Sequence, residues 1–294
     1  MIDQQLLLDG CEAFGITLPQ GAAEKLDRYA QLLVEWNQKM NLTAITEPRE
    51  IVYKHFVDSL LLLKAIELPQ GASLIDVGTG AGFPSMPLKI AREDLKVTLL
   101  DSLQKRLTFL QEVNVQLGLD CAFIHARAED GGKDKKLREQ FDFASARAVA
   151  HLRELAEYCL PYVKVGGYFI SLKGPEVEQE IKEAKNAVAT MGGKVEQVLH
   201  FSLPDDSGRS IVLIKKNIAH SAFLPQNRRQ NGKKTDSLNR FAGLEVEISR
   251  TIFLEKRNTL CYDRGMDAGR QSAPGVHAFS IPIFLSFARQ VRSP

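Results

Sequence analysis

Between residues 73 and 216 the apolar positions follow two rhythms in turn. Short β-branched or aliphatic runs at 73–77, 96–100, 122–125, 141–146 and 168–173 have the length of strands. The stretches between several of them carry apolar residues at helical spacing, and helices are predicted over 84–91, 103–117, 152–159 and 176–191. In 103–117 the apolar face is Leu103, Leu107, Leu110, Val113 and Leu117, with Gly118 as the stop signal. A Gly166-Gly167 turn is expected to lead into the fifth run. Two last strand-like runs, 194–200 and 210–216, follow one another without an intervening helix. Alternating strands and helices predict an α/β fold: a doubly wound, mostly parallel sheet of seven strands that ends in a β-β pair.

Ahead of residue 73 two stretches carry a helical pattern. Residues 22–40 place Leu26, Tyr29, Leu33, Trp36 and Met40 on one face, read here as a packing face. A second helical stretch is predicted over 48–65, where His55, Asp58 and Ser59 share one side. Helix neighbours at that spacing stand side by side and do not line up as nucleophile, base and orienter. The three are therefore read as a packing or capping network, with substrate contact as the second reading. The chain divides into an N-terminal helical extension (1–66), an α/β domain (67–217) and an atypical C-terminal tail (218–294).

The strongest chemical signal lies where the first strand ends, in Asp76-Val77-Gly78-Thr79-Gly80-Ala81-Gly82-Phe83-Pro84. Strand, glycine turn and helix bring backbone N–H groups close to a nucleotide-like ligand. Glycine suits such a turn because a side chain would obstruct the approach and because positive φ costs it nothing. Asp101 ends the second strand at the offset from the glycines where a carboxylate accepts hydrogen bonds from ribose hydroxyls. The spacing is G-x-G-x-G rather than the dinucleotide G-x-G-x-x-G, and it resembles the S-adenosylmethionine (SAM) loop of class I methyltransferases. SAM has no pyrophosphate, so no phosphate cradle is needed. Gly78, Gly80, Gly82 and Asp101 are thus the candidate cofactor residues.

Composition narrows the picture. The chain has 294 residues, 44% apolar and 25% charged, as expected of a soluble globular protein. No apolar run approaches a membrane span of roughly 20 residues, and the start has no basic segment before an apolar one, so neither a membrane segment nor a signal peptide is expected. Cys11, Cys121, Cys159 and Cys261 are scattered without a C-x-x-C pair. This fits a reducing cytoplasm and argues against a zinc site or disulfide framework. The net charge of +2 divides into −4 over residues 1–217 and +6 over 218–294, so any nucleic-acid contact must come from a local basic face.

A wider set of motifs occurs in a fixed order. It comprises Trp36-Asn37-Gln38-Lys39-Met40-Asn41-Leu42-Thr43, His55-Phe56-Val57-Asp58-Ser59, the glycine loop through Pro84, Leu100-Asp101-Ser102, Arg127-Ala128-Glu129, Ala146-Arg147-Ala148-Val149-Ala150 and Leu172-Lys173-Gly174-Pro175. Over residues 1–217 this set resembles the bacterial small-subunit ribosomal RNA guanine-N7 methyltransferases, the glucose-inhibited division protein B family. The resemblance implies a class I Rossmann-like fold and SAM-dependent methylation of N7 of one guanine in the 530 loop of 16S rRNA, on free rRNA or the 30S subunit. It implies that Gly78 and Phe83 belong to the SAM loop, that Ala128 and Glu129 contact the adenine end, and that Arg147 lies in the same pocket. Arg147 would position guanine O6, a phosphate or the SAM carboxylate; a salt bridge at a strand end is its other reading. Lys173 reads either as an RNA contact or as a solvated lysine. Guanine N7 carries a lone pair and no proton, so in-line transfer needs no general base and no catalytic residue is assigned. No metal is expected, and nothing demands more than a monomer. The competing readings are a class I methyltransferase for another RNA or small molecule and a non-catalytic rRNA-binding or assembly protein with a SAM fold.

The resemblance stops after Lys216-Asn217. The family usually ends in a basic Tyr-Pro-Arg-x-x-Gly-x-Pro-x-Lys-x-Pro-Leu segment, which this chain lacks. Back-translated and read one nucleotide later, the codons from Leu224 onward permit Tyr-Pro-Arg-Thr-Ala-Gly-Lys-Thr-Ala-Lys-Lys-Pro-Ile, close to the family ending but without its middle proline, and then a stop codon at the Leu238-Asn239 junction. The expectation is a frameshift near residue 218. A basic RNA-gripping extension using Arg228, Arg229, Lys233 and Lys234 is the alternative.

Overall fold

The structure, a computed structural model, describes residues 1–219. Seven strands form one sheet: β1 (Ser73–Val77), β2 (Lys96–Asp101), β3 (Ala122–His125), β4 (Phe141–Arg147), β5 (Val163–Lys173), β6 (Gly193–Ser202) and β7 (Gly208–Lys216). Their spatial order is β3-β2-β1-β4-β5-β7-β6. β1 pairs in parallel with β2 on one side and β4 on the other, while β7 runs antiparallel to both β5 and β6. This is the doubly wound class I arrangement that the pattern predicts. The chain leaves β1 toward β2 and β3, then returns to build β4 and β5 on the other side. The switch in strand order therefore falls at β1, where open α/β sheets bind ligands beyond the strand ends.

Two apolar layers explain why the central strands lack the alternation of half-exposed ones. Successive strand residues point to opposite faces. Leu74 and Leu99 join the layer that packs on the N-terminal helices, and Ile75 and Val77 join the layer on the other face. The first layer is covered by α1 (Gln4–Glu12), α2 (Ala22–Asn37), a broken helical segment, α6 (Ser85–Ala91) and α7 (Gln104–Gln116). The broken segment consists of α3 (Pro48–Glu50), a π-helical stretch Ile51–Val57, α4 (Asp58–Leu60) and α5 (Leu62–Ala65). The short α8 (Ala128–Gly131) follows β3. α9 (Leu152–Cys159) and α10 (Glu178–Thr190) cover the second face.

Several details differ from the expectation. α2 stops at Asn37 rather than residue 40, because the Asn37 side chain accepts the N–H groups of Leu42 (2.8 Å) and Thr43 (3.0 Å) and turns the chain. Met40 therefore lies beyond the helix. The 48–65 stretch is not one regular helix. Leu103 is exposed and extended, because Asp101 Oδ1 accepts its N–H at 2.8 Å ahead of the first turn of α7; Phe109 takes the core position instead. Gly166-Gly167 is not an entry turn but an irregularity inside β5, where a Cβ on Gly167 would collide with the Asp142 carbonyl. α1 and α8 have no counterpart in the pattern reading. No helix among the described residues is long and apolar enough to cross a membrane. The frameshift reading and the candidate RNA contacts Arg228, Arg229, Lys233 and Lys234 lie outside the described residues.

Candidate active site

A cleft of about 480 Å³ opens where β1, β2 and β4 end. That volume lies within the ~300–1,000 Å³ range of small-molecule sites. Its floor is the glycine loop. Gly78, Gly80 and Gly82 have φ of +73°, +60° and +95°, conformations that side chains strongly disfavour. The N–H groups of Gly78 and Thr79 donate to Leu100 O at 2.9 and 3.1 Å, which ties the loop to the end of β2.

Asp101 completes that link. Its Oδ2 accepts the Gly80 N–H at 2.9 Å and lies 3.4 Å from Arg106 Nη1, while among the described residues Oδ1 accepts only the Leu103 N–H. A carboxylate oxygen has two lone pairs, so Oδ1 retains capacity for a further donor in the cleft. Beneath the loop, buried Asp76 accepts hydroxyl bonds from Thr79 (2.7 Å) and Ser145 (2.8 Å). Burial pushes its carboxyl up to about 6, against the pull of those two bonds.

The N-terminal helices brace the loop from behind. Tyr29 on α2 donates its hydroxyl to the Ala81 carbonyl and stacks on Phe83 at 5.4 Å between ring centroids. Phe83 also stacks on His55 (4.3 Å, 14° between planes) and carries the Arg147 guanidinium 4.8 Å above its ring. Arg147, at the end of β4, donates to Asp58 Oδ2 (2.9 Å), Lys54 O (3.0 Å) and His55 Nδ1 (3.2 Å). The π-helical stretch carries Lys54 and His55, and Asp58 is the next residue in the chain. Ser59 turns away and donates to the His55 carbonyl.

Seven of the eight candidate cofactor residues line this cleft: Gly78, Gly80, Phe83, Asp101, Ala128, Glu129 and Arg147. Gly82 does not. A Cβ there would meet Tyr29 Oη at 2.5 Å and Leu110 and Met86 at 2.7 Å, so packing behind the loop demands glycine at that position. At Gly80, among the described residues, nothing but the Gly78 carbonyl, at 3.9 Å, would touch a Cβ, leaving the loop open to a ligand. Lys173 is neither solvated nor facing out. It is largely buried, donates to Ala150 O and pairs with Glu180, both at 2.7 Å. Glu180 also accepts the Leu152 N–H, and the two together hold the loop that carries Val149 across Gly78. Pattern reading missed Thr43 and Val149 as cleft residues, although both belong to quoted motifs.

An open glycine loop, a fixed carboxylate with a spare acceptor site, and walls that include Val77, Leu100 and Val149 suit a nucleoside with a polar tail, and so fit SAM. The chain matches the GidB family, described as rRNA small subunit methyltransferase G, over residues 22–211. It is 50% identical to the Ribosomal RNA small subunit methyltransferase G of Alkaliphilus metalliredigens, over 74% of this chain and 91% of that one. It is 52% identical to the protein of that name from Thermoanaerobacter pseudethanolicus (72% and 89%) and 48% identical to the one from Clostridium perfringens (72% and 89%). On sequence and fold together, the chain belongs to the GidB family of small-subunit ribosomal RNA methyltransferases.

Proposed function

We propose that this protein methylates N7 of one guanine in the 530 loop of 16S rRNA, using SAM held in the cleft at the ends of β1, β2 and β4. The observation that carries the reading is the joining of Gly80 to Asp101 at the switch point of the sheet, in a chain of this family. SAM supplies a methyl group on a positively charged sulfur, which an in-plane nitrogen lone pair can attack. In this reading Asp101 takes ribose hydroxyls on its Oδ1, the Gly78–Gly80 backbone passes beside the ligand, and Ala128 and Glu129 meet the adenine end. Arg147 is committed to Asp58, Lys54 and His55, so its part is to hold the cleft wall and keep a positive charge beside Phe83. The protein's task is positioning, because guanine N7 has no proton to remove. The base must leave its stack to reach the cleft. In this reading the protein works in the cytoplasm, beside its ribosomal substrate, and acts as a monomer.

Transfer of labelled methyl from SAM to small subunits, large subunits and free 16S rRNA tests the substrate class. Label on small-subunit RNA alone is expected. Label confined to large subunits, or SAM binding with no transfer to any of them, contradicts the reading.

A further inference from the structure

Thr43 lies in the cleft wall, partly exposed, and every bonding position on its side chain except one is taken. Its backbone N–H donates to Asn37 Oδ1 at 3.0 Å. Its Oγ1 accepts the Ile45 N–H at 3.0 Å and lies 3.0 Å from His55 Nε2. The direction of that last bond is set at the other ring nitrogen. Arg147 Nη2 is 3.2 Å from Nδ1, and a guanidinium only donates. Nδ1 therefore accepts, the ring proton sits on Nε2, and Nε2–H donates to Thr43. Burial, and then the Arg147 charge, push the His55 pKa down to about 3, with the Lys54 carbonyl pulling weakly the other way; the ring is neutral. A hydroxyl has two lone pairs and one proton. Both lone pairs of Thr43 are occupied, and among the described residues no protein acceptor takes its proton. The hydroxyl is left as a pure donor in the cleft.

We propose that Thr43 Oγ1–H donates to O6 of the target guanine and thereby selects guanine over adenine, an inference that rests on the function proposed above. Next to N7, guanine presents O6, an acceptor, whereas adenine presents an amino donor. A free hydroxyl would rotate to serve either base. One whose lone pairs are filled by Ile45 and His55 faces adenine donor to donor. N7 itself stays free for the methyl group, and no proton changes hands at Thr43. His55 and Arg147 act as positioning residues that make this donor permanent.

The test compares Thr43→Val, which keeps the shape and loses the hydroxyl, with Thr43→Ser, which keeps it. Methyl transfer to unmodified small subunits and SAM affinity by equilibrium dialysis are measured for each. Thr43→Val is expected to lose about ten- to a hundredfold in kcat/KM while binding SAM within about twofold of wild type, and Thr43→Ser to stay within about fivefold of wild type. On subunits reconstituted with 2-aminopurine at the target position, which keeps N7 and lacks O6, wild type should fall to the Thr43→Val rate and Thr43→Val should fall no further. Full activity in Thr43→Val, equal losses in both variants, or a loss of SAM affinity in Thr43→Val would each overturn the assignment. A wild-type enzyme that labels no guanine refutes the proposed function before any variant is compared, and the inference falls with it.

Discussion

Arg147 Nη1 lies 2.9 Å from the Asp58 carboxylate, across 89 residues of sequence, and Arg209 Nε lies 3.3 Å from the other Asp58 oxygen as a second ion pair. One buried carboxylate thus ties the N-terminal helical segment to the end of β4 and the start of β7. Breaking a buried ion pair by removing one partner leaves a charge without compensation. Because Arg209 remains, Arg147→Met should cost about 3 kcal/mol, the low end for such a loss. The double variant with Asp58→Asn should cost less than the two single variants added together. Urea unfolding of the three variants checks this.

The middle and last glycines of the loop should separate packing from opening. Gly82→Ala forces a Cβ against Tyr29, Leu110 and Met86 at a φ of +95°, so it should destabilise by more than about 3 kcal/mol. Gly80→Ala meets no such obstacle and should cost about 1–2 kcal/mol, the strain of the left-handed backbone alone. Equal unfolding midpoints for the two would contradict the packing role of Gly82.

Much of this was legible in the sequence, and the exceptions share a cause. The strands and the glycine loop follow from local runs, and Asp101 follows from its distance past the glycines. The end of α2, the exposure of Leu103 and the burial of Lys173 were not legible, because each depends on a side chain reaching a distant or off-pattern backbone group: Asn37 to Leu42 and Thr43, Asp101 to Leu103, Lys173 to Ala150. His55 and Asp58 were visible as a pair on one helical side, but their partner, Arg147, is supplied by the sheet.

Acid acts on this protein through His55 as well as through depressed carboxylates such as Asp142. The folded pKa of His55, about 3, lies below the ordinary value of 6.5, so between those values the unfolded chain binds more protons and stability falls as pH falls. Asp76 acts the other way. Its folded pKa, about 6, lies above the ordinary 3.8, so the fold binds more protons and stability falls as pH rises through that window. Each contributes a slope of at most about 1.4 kcal/mol per pH unit. His55→Gln should therefore flatten the loss of stability below pH 6.5, and Asp76→Asn should steepen it between about pH 4 and 6. Unfolding free energies from pH 3.5 to 7.5 for the two variants and wild type test both signs.

The reading frame gives a prediction at the level of DNA. Resequencing codons 210–240 in related strains should find one base gained or lost near codon 218, restoring the basic family ending and its stop. An unbroken frame identical in every strain would establish residues 218–294 as a selected extension.

In the proposed reaction one guanine N7 receives the methyl group. Mapping methylation on small-subunit rRNA after reaction with this protein, by chemical cleavage specific for 7-methylguanosine, tests it most directly. A single new cleavage site in the 530 loop, absent without SAM, is the expected result. Methyl label incorporated without a new cleavage site, or cleavage at several unrelated guanines, would contradict the account.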